Sequence, residues 1–471
     1  MSVSVKNLRS NIRCGTWLYL LLIGVSLFAV HGIRAAEARQ PNIIFVVADD
    51  LGYADLGVYG SNEIQTPNLD QLADGGIILT DGYVSAPYCG PSRAGFMTGR
   101  YQQRHGFWCN PTNWPVDRSQ GLDLEEETIA DVLRRGGYRT CAIGKWHLGS
   151  AEAFHPINRG FDEYFGFLGG GHHYFPMQYE ENMKRWARDH SDTDTPFLYN
   201  YGSPLEVSGI PIPPQEGYLT DLLTDYSIGF MKRASGTPFF LYIAYNAPHV
   251  PLEAPEETIE KYSSINDKKR RTYAAMVDNL DMNMGRIVEY LRESGEFDNT
   301  LIVFISDNGG KPQNGGFNGE LRGHKGQVYE GGVRVPFIWS WPNVLPAGEI
   351  VTTPISSLDL LPTFAVAAGV NPAGKPLDGI NVLPVLLGES GSASHARLFW
   401  ERGGQRGIRQ GEWKATLWRE RSNWQLFNLT DDVGEQNDLA KSNPEQLEEM
   451  KALYEQWIGQ FEGPRWSDPK Y

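Results

Sequence analysis

Three things are scarce in this sequence of 471 residues: cysteine, positive charge and long hydrophobic runs. Its four cysteines are too few to form a disulfide framework. The 57 acidic residues outnumber the 42 basic ones, and the formal charge of −15 argues against binding to nucleic acid or to another broad polyanion. An anionic substrate would therefore have to bind to a local cluster of cations. After the N-terminal segment, no apolar run is long enough to cross a membrane.

The first 36 residues have the pattern of a secretory signal peptide. Basic residues precede a mostly apolar run from Trp17 to Val30, and Ala36 and Ala38 then offer small-residue cleavage sites. We therefore expect an exported protein, periplasmic or secreted, with no stable membrane insertion after cleavage. An uncleaved anchor is the alternative, although the run is short for a membrane span. Cleavage removes four basic residues and no acidic one, which takes the formal charge from −15 to −19.

Apolar runs rich in β-branched residues predict buried strands at 42–48, 239–244 and 300–305. Apolar residues spaced by three and four from Tyr273 to Leu291 predict an amphipathic helix. Another helix, from about Glu126 to Arg135, stops at two glycines and leads into a strand at 139–143. Alternating strands and helices indicate an α/β sandwich with a large, mostly parallel sheet.

From about residue 394 the pattern changes to short strand-like segments separated by glycines and charged turns, and residues 445–461 have the pattern of a closing amphipathic helix. We expect a catalytic α/β domain over residues 37–393 and a small C-terminal domain with an antiparallel sheet over residues 394–471. The stretch 192–217 is rich in proline, glycine and acidic residues, which predicts an irregular loop or insertion.

Polar residues follow four of the predicted strands, at the edge where open α/β sheets bind their ligands. These clusters are Asp49-Asp50, Lys145-Trp146-His147, His249 and Asp307-Asn308. A single polar residue after a strand is common in loops, but four clusters at one sheet edge favour a shared site. The oxygen ligands of the first and last clusters suit Ca²⁺ or Mg²⁺ rather than zinc. The alternative assigns them to a helix cap and a turn.

Basic side chains from separate segments can together hold an anion. The candidates are Arg93, Lys145, His147, His249 and Lys325. Arg93 lies in the run CGPSRAGFMTGR, which begins at Cys89. Pro91 suits the first turn of a helix, so we expect Cys89 at a helix N-terminus, where the helix dipole favours an anion and lowers a thiol pKa. The alternative is a small, buried, unreactive cysteine.

The run at 89–100 resembles the signature of type I sulfatases, the family of the arylsulfatases and N-acetylgalactosamine-6-sulfatases. Other segments resemble blocks of the same family in the same order: DDLG at 49–52, GKWHLG at 144–149, APH at 247–249, SDNG at 306–309 and LRGHKG at 321–326. The resemblance spans most of residues 41–390 and implies an alkaline-phosphatase-like fold. One departure is Phe96, where the family usually has leucine.

The resemblance also implies cofactors. Cys89 would be oxidised to formylglycine (3-oxoalanine) by a formylglycine-generating maturation enzyme. Ca²⁺, or Mg²⁺, would be bound by Asp49, Asp50, Asp307, Asn308 and the modified residue 89.

The reaction implied is that of a sulfuric ester hydrolase. The formylglycine hydrate attacks the sulfur in line, while Arg93 and the metal stabilise the negative charge. Lys325 and His249 bind the sulfate and protonate the leaving oxygen. His147, near a sulfate-binding Lys145, then removes a proton from the covalent adduct, and sulfate leaves.

The substrate is predicted to be a sulfated small molecule or, more specifically, a sulfated carbohydrate. His172 and His173 follow three glycines, and the loop 104–117 carries Phe107, Trp108 and Trp114, which suit sugar binding. The alternative is that these rings belong to the core. Other functions left open are a phosphonate or phosphate ester hydrolase, and a non-catalytic sulfoglycan-binding protein with an unmodified Cys89. A disulfide between Cys109 and Cys141 is possible but not required.

Overall fold

The computed structural model describes residues 39–178, 203–419 and 422–467. Within them the strands are β1 (Asn42–Ala48), β2 (Ile77–Leu79), β3 (Gly82–Tyr83), β4 (Arg139–Lys145), β5 (Glu163–Phe167), β6 (Glu206–Val207), β7 (Ile210–Pro211), β8 (Phe239–Ala244), β9 (Thr300–Ser306), β10 (Phe337–Ser340), β11 (Glu349–Val351), β12 (Ile355–Ser356), β13 (Leu398–Arg402), β14 (Gln405–Gln410), β15 (Trp413–Leu417) and β16 (Gln425–Asn428). The α-helices are α1 (Pro67–Asp74), α2 (Cys89–Thr98), α3 (Ile129–Arg135), α4 (Leu219–Ala234), α5 (Glu256–Lys261), α6 (Lys268–Glu293), α7 (Glu330–Val333), α8 (Leu360–Ala368), α9 (Leu383–Leu386) and α10 (Pro444–Ile458). The predicted signal peptide lies outside the described residues.

A ten-stranded sheet forms the centre of the fold, in the order β11-β2-β10-β9-β1-β8-β4-β5-β6-β7. The four central strands β9, β1, β8 and β4 are parallel to one another, and β10 pairs antiparallel with β9. Every residue of β1, β8 and β9 is buried, as expected for strands covered on both faces. The predicted large, mostly parallel sheet is confirmed.

Helices cover both faces of this sheet because successive side chains of each strand point to opposite sides. Ile44 and Val46 of β1 pack in one hydrophobic cluster with α4 and α6. Phe45, on the other face, packs with Phe96 of α2 and Phe364 of α8. The result is the predicted α/β sandwich, with a buried core on each side of the sheet.

The predicted elements agree with the structure apart from their ends. Predicted strands 42–48 and 239–244 coincide with β1 and β8, and 300–305 and 139–143 extend to Ser306 and Lys145. The helix predicted from Glu126 begins only at Ile129, because Thr128 forms a capping box with Asp131 and so fixes the start of α3. Residues 206–211 of the predicted irregular loop form the hairpin β6–β7 at the sheet edge; its residues 192–202 lie outside the described residues.

The C-terminal residues form the predicted antiparallel sheet, of four strands in the order β13-β14-β15-β16. Helix α10, which ends three residues before the predicted position, packs Met450, Tyr454 and Trp457 against Ile408 and Leu426. The domain boundary at residue 394 stays a prediction. Among the described residues, we find no helix that combines the length and apolar character needed to cross a membrane.

A buried charge cluster joins the C-terminal sheet to α7. The ammonium of Lys414 on β15 lies 2.7 Å from Glu330 and 3.3 Å from Glu435, and all three side chains are fully buried. The backbone N–H of Glu330 also donates to Glu435. Burial raises the pKa of Glu435 to about 7, although Lys414 opposes the shift. These paired charges fix the position of α7 relative to the sheet.

Candidate active site

The predicted polar clusters meet at the carboxyl ends of adjacent strands. Strands β9, β1, β8 and β4 are neighbours and run parallel, so the residues that follow them lie at one edge of the sheet. Backbone hydrogen bonds connect the loops: the N–H of Asp49 donates to Ala247 at 3.0 Å, and that of Asp307 to Ala48 at 3.0 Å. The convergence predicted from the strand pattern is therefore present.

Two site residues adopt a backbone conformation that side chains disfavour. Asp50 has φ +66° and His147 has φ +60°, both in the left-handed region, and each is the second residue after the end of a strand. The N–H of Asp50 donates to Asp307 at 3.2 Å, and that of His147 to Leu168 at 3.1 Å. Such strain costs about 1–3 kcal/mol per residue and clusters at functional sites. The turns aim both side chains across the sheet edge.

Each buried carboxylate at this edge contacts its own cation. Lys145 Nζ lies 2.6 Å from Asp49, and Lys325 Nζ lies 2.7 Å from Asp50. Arg93 donates to Asp307 through Nε at 3.0 Å and through a terminal nitrogen at 2.7 Å. The sequence could not predict these pairings.

The surroundings shift the pKa values of two carboxyls in opposite directions. Burial acts to raise the pKa of Asp50, but Lys325 and His249 outweigh it and lower that pKa. Burial and the charge of Asp49 raise the pKa of Asp307 to about 6. A further cation beside Asp307 would stabilise its charged form, which burial and the neighbouring carboxylate of Asp49 disfavour.

The donor atoms at this edge fit a hard divalent cation. One ligand atom each from Asp49, Asp50, Cys89 and His249 lies within 4.8 Å of the others. The Oδ1 atom of Asn308 is buried and has no hydrogen-bond partner among the described residues. A buried acceptor without a donor is costly, and a cation would satisfy it. Carboxylate and amide oxygens are the ligands that Ca²⁺ and Mg²⁺ prefer.

Cys89 is the first residue of α2, as predicted, and is 2% exposed. Its Sγ lies 3.7 Å from Oδ1 of Asp49. Burial acts to raise the thiol pKa, but the ammonium groups of Lys145 and Lys325 outweigh it and lower the pKa to about 6. The optional disulfide is not formed, since Cys109 and Cys141 are free thiols.

The two central histidines have opposite proton affinities. Burial, with the nearby charges of Lys145 and Arg93, lowers the pKa of His147 well below the usual value, so its imidazole is neutral. Burial also acts to lower the pKa of His249, but Asp49 outweighs it and the pKa rises. Nδ1 of His249 donates to the Val250 carbonyl at 2.7 Å. The lowered pKa of His147 suits a base and the raised pKa of His249 suits an acid, and the two histidines are near enough to interact electrostatically.

Residues 41–370 match the family model of the sulfatases. This chain belongs to the sulfatase family. It is 33% identical to N-acetylgalactosamine-6-sulfatase of Homo sapiens over 84% of this chain and 75% of that protein, and 34% identical to arylsulfatase A of Homo sapiens over 91% and 90%. A solved structure of Ps i-CgsB in complex with k-i-k-neocarrahexaose is 41% identical, covers 91% of this chain and 95% of its own, and has a TM-score of 0.82. Membership confirms the predicted fold class and identifies the chain as a sulfuric ester hydrolase.

In this sulfatase the two histidines predicted for sugar binding belong to a segment that contacts the turn of His249. His172 is 1% exposed, and its Nδ1 donates to the backbone of His173, whose own ring lies 2.9 Å from Glu253. The next residue, Tyr174, donates from its hydroxyl to the His249 carbonyl at 2.9 Å. The segment thus supports the His249 turn, and a sugar-binding role for the histidines stays a prediction.

The aromatic residues of the loop 104–117 divide between core and surface. Phe107 is fully buried and packs edge-on against Trp466. This ring therefore belongs to the core, which was the alternative to sugar binding. Trp114, in contrast, is 44% exposed. Only part of this loop is therefore available to a substrate.

Sequence reasoning missed two residues that support the sulfatase site. Asp55 is fully buried and accepts hydrogen bonds from the N–H groups of Gly52 (3.1 Å) and Phe317 (2.9 Å), from the Tyr273 hydroxyl (2.8 Å) and from Arg270 (2.6 Å). The Tyr273 oxygen also lies 3.2 Å from the Asp50 carbonyl. The periodicity of α6 correctly predicted Tyr273 as buried, but gave no sign of where its hydroxyl points.

The C-terminal sheet also contacts the site. The Gly326 carbonyl accepts hydrogen bonds from Arg402 at 2.7 Å and from Gln405 at 2.9 Å, and its N–H donates to Pro87 at 2.6 Å. Gly326 follows Lys325 directly, and Pro87 lies two residues before Cys89. The hairpin between β13 and β14 therefore holds Lys325 next to the reactive residue. We call this contact the Gly326 clamp.

Proposed function

We propose that this sulfatase hydrolyses sulfate esters of a sulfated carbohydrate, using a formylglycine derived from Cys89 and a bound Ca²⁺ or Mg²⁺. The observation that carries the proposal is the position of Cys89 at the start of α2, buried among Lys145, Lys325 and Asp49. The carbohydrate class is supported by the names of an N-acetylgalactosamine-6-sulfatase and of a complex with k-i-k-neocarrahexaose among its relatives.

The metal would be held by Asp49, Asp50, Asp307, Asn308 and residue 89. The buried Asn308 oxygen without a donor and the raised pKa of Asp307 support this ligand set. A bound divalent cation would supply Lewis-acid stabilisation of developing negative charge.

Formylglycine formed from Cys89 would supply the nucleophile for attack at sulfur. The chain's own cations would hold the sulfate group beside it: the ammonium groups of Lys145 and Lys325 point at the acids around Cys89, and Arg93 is locked against Asp307. Because all three cations are already paired and oriented, they can stabilise anionic oxygens with little reorganisation.

The two histidines move the protons. His249, whose pKa is raised, donates a proton to the ester oxygen that leaves as an alcohol. His147, whose pKa is lowered, would accept a proton at its imidazole as sulfate is released. Across the whole reaction, water and a sulfate ester give an alcohol, a sulfate ion and a proton.

The first test is mass spectrometry of the peptide that contains Cys89, from protein produced with a formylglycine-generating enzyme. We expect formylglycine, and loss of all turnover in Cys89→Ala. An intact thiol in active protein would contradict the proposal, and an intact thiol in inactive protein that binds sulfated sugars would support the non-catalytic binding function. Rates on matched sulfate and phosphate esters distinguish the sulfatase from a phosphate or phosphonate ester hydrolase.

We also propose that the enzyme is exported, with cleavage of a signal peptide near Ala36. The support is the basic and apolar pattern of the first 36 residues. N-terminal sequencing of protein from the periplasm or medium tests this, and an intact N-terminus in the cytoplasm would contradict it.

A further inference from the structure

A second groove opens beside the C-terminal sheet, outside the site described above. Its volume is about 610 Å³, within the range of small-molecule sites. Its main lining residues are Arg322, Gln327, Tyr329, Trp418, Gln425 and Asp438. Arg322, Gln327 and Tyr329 come from the loop that carries Lys325. Trp418 follows β15, Gln425 begins β16 and Asp438 follows β16.

The strand register places this groove next to the Gly326 clamp. In the C-terminal sheet Arg402 pairs with Gln405, Arg406 with Leu417, and Thr416 with Gln425. The clamp residues and the groove residues therefore lie at the same end of the sheet. Adjacent strands are about 4.8 Å apart. Trp418 is one strand away from the start of β14, a distance of about 5 Å, and Gln425 is two strands away, a distance of about 10 Å.

The loop from Arg322 to Lys325 gives a second measure of this proximity. Three residues span at most about 11 Å. The Cα atom of Arg322, at the edge of the groove, therefore lies within about 11 Å of the Cα atom of Lys325. The loop is fixed at both ends, because Gly331 donates to the Arg322 carbonyl at 2.7 Å and the clamp holds Gly326. The loop between the groove and Lys325 is therefore held by hydrogen bonds at both ends.

Aromatic and cationic groups are stacked along the groove. The Trp418 ring stacks on Tyr329 with centroids 5.9 Å apart and planes at 17°. The Arg322 guanidinium lies 4.1 Å from the centroid of the same Tyr329 ring. Trp418 and Arg322 are both half-buried, so each is fixed by packing and still reaches the groove. In a protein with a formal charge of −15, an arginine held in this way is suited to an anionic ligand.

Polar side chains complete the lining. The Tyr329 hydroxyl donates to the amide oxygen of Gln425 at 2.9 Å, which directs the amide N–H groups of Gln425 to other acceptors. Gln327 and the carboxylate of Asp438 add further donors and acceptors. An aromatic face with planar amides and a carboxylate matches a sugar ring, which has apolar C–H faces and an edge of hydroxyls.

We propose that this groove binds a sugar unit of the sulfated chain, one or more units away from the unit whose ester is cleaved. The inference rests on the proposed carbohydrate substrate and assigns part of the chain-length preference to Trp418. Arg322 would pair with a sulfate group on that distal unit.

The test compares Trp418→Ala and Trp418→Phe with wild-type enzyme on a small aryl sulfate and on sulfated oligosaccharides of increasing length. Trp418→Ala should raise KM for the longer oligosaccharides by about fivefold to tenfold, the size of one aromatic contact, and leave the aryl sulfate kinetics unchanged. Trp418→Phe should recover most of the loss. The matched control is Trp424→Ala, in the same connection, whose ring packs on Tyr454 of α10 instead. It should lower stability without changing the length dependence.

The outcomes separate this inference from the proposed function. An enzyme that desulfates oligosaccharides, with Trp418→Ala retaining the wild-type KM at every length, would overturn the groove alone. An enzyme that acts on the aryl sulfate and on no sugar would overturn both. Equal losses on the aryl sulfate and the longest sugar would mean that Trp418 supports the loop of Lys325 rather than the substrate, and would also overturn the inference.

Discussion

The support of the metal ligands by Asp55 gives the sharpest prediction. Asp55→Asn keeps the shape of the side chain but leaves one acceptor oxygen where the carboxylate has two. In the structure one oxygen of Asp55 serves Gly52, Phe317 and Tyr273, and the other serves Arg270. An asparagine cannot serve both sets, so either the loop after Asp50 or the buried guanidinium loses its partner.

The size of the effect follows from burial. Breaking a buried ion pair costs about 3–5 kcal/mol. Because the Arg270 side chain is 13% exposed and keeps Glu63 as a second partner, we expect a loss of unfolding free energy at the low end of this range, about 3 kcal/mol. For a unit from Pro41 to Tyr471, the entropy of unfolding is about 0.9 kcal/mol per degree, so Tm should fall by about 3 °C. Loss of such outer contacts typically weakens metal binding about tenfold or more.

The assay is calcium titration by calorimetry on metal-stripped protein at pH 8, with Tm measured in parallel. Asp281→Asn is the matched control, because Asp281 is also buried and accepts from the N–H groups of α1, far in the sequence from the metal ligands. The control should lower Tm and leave calcium affinity unchanged. Asp55→Asn/Arg270→Met should recover most of both losses, since no buried charge is left unpaired. Wild-type calcium affinity in Asp55→Asn would refute this reasoning.

Three further predictions test the protons, the charge cluster and the clamp. His249→Asn should lower kcat/KM by about 100-fold or more on an alkyl sulfate and far less on a nitrophenyl sulfate, whose leaving group needs no proton; equal losses would contradict the assignment. Glu435 has a pKa of about 7 in the folded protein, against 4.5 ordinarily. Between about pH 4.5 and pH 7 the folded state therefore binds more protons than the unfolded state. The free energy of unfolding should fall as the pH rises through this range. Glu435→Gln should flatten that slope in urea unfolding, and an unchanged slope would count against the shift. Gln405→Leu removes one hydrogen-bond donor to the Gly326 carbonyl, worth about 1 kcal/mol. It should raise KM for sulfate esters by about fivefold and change Tm little. An unaltered KM would mean that Arg402 alone holds the Gly326 carbonyl in place.

The sequence predicted the position of the site because strand ends are a local property. The apolar run before Asp49 and that before Asp307 each end where a polar residue begins, and parallel neighbours bring such ends together. The lone Cys89 before Pro91 predicted a helix start for a similarly local reason. For these residues, hydrophobic pattern and turn chemistry were sufficient.

The partners of these residues could not be predicted, because they depend on packing between distant segments. Nothing in the local pattern indicates that Lys325 contacts Asp50 rather than Asp49, across 275 positions of the chain. The start of α3 was wrong by three residues because a capping box competes with helix propensity. Asp55 was missed because three of its four donors, on Arg270, Tyr273 and Phe317, lie more than 200 positions away in the chain.

The Gly326 clamp has a consequence for building hybrid enzymes. A chimera could take its C-terminal sheet from one relative and its catalytic loop from another. The β13–β14 hairpin of the first relative would then lack the geometry to bind the carbonyl at position 326 of the second. Even with both halves correctly folded, Lys325 would then lose two of the hydrogen bonds that keep its neighbour in position. Recombination of substrate preference in this scaffold should therefore transfer the loop 321–332 and the β13–β14 hairpin together.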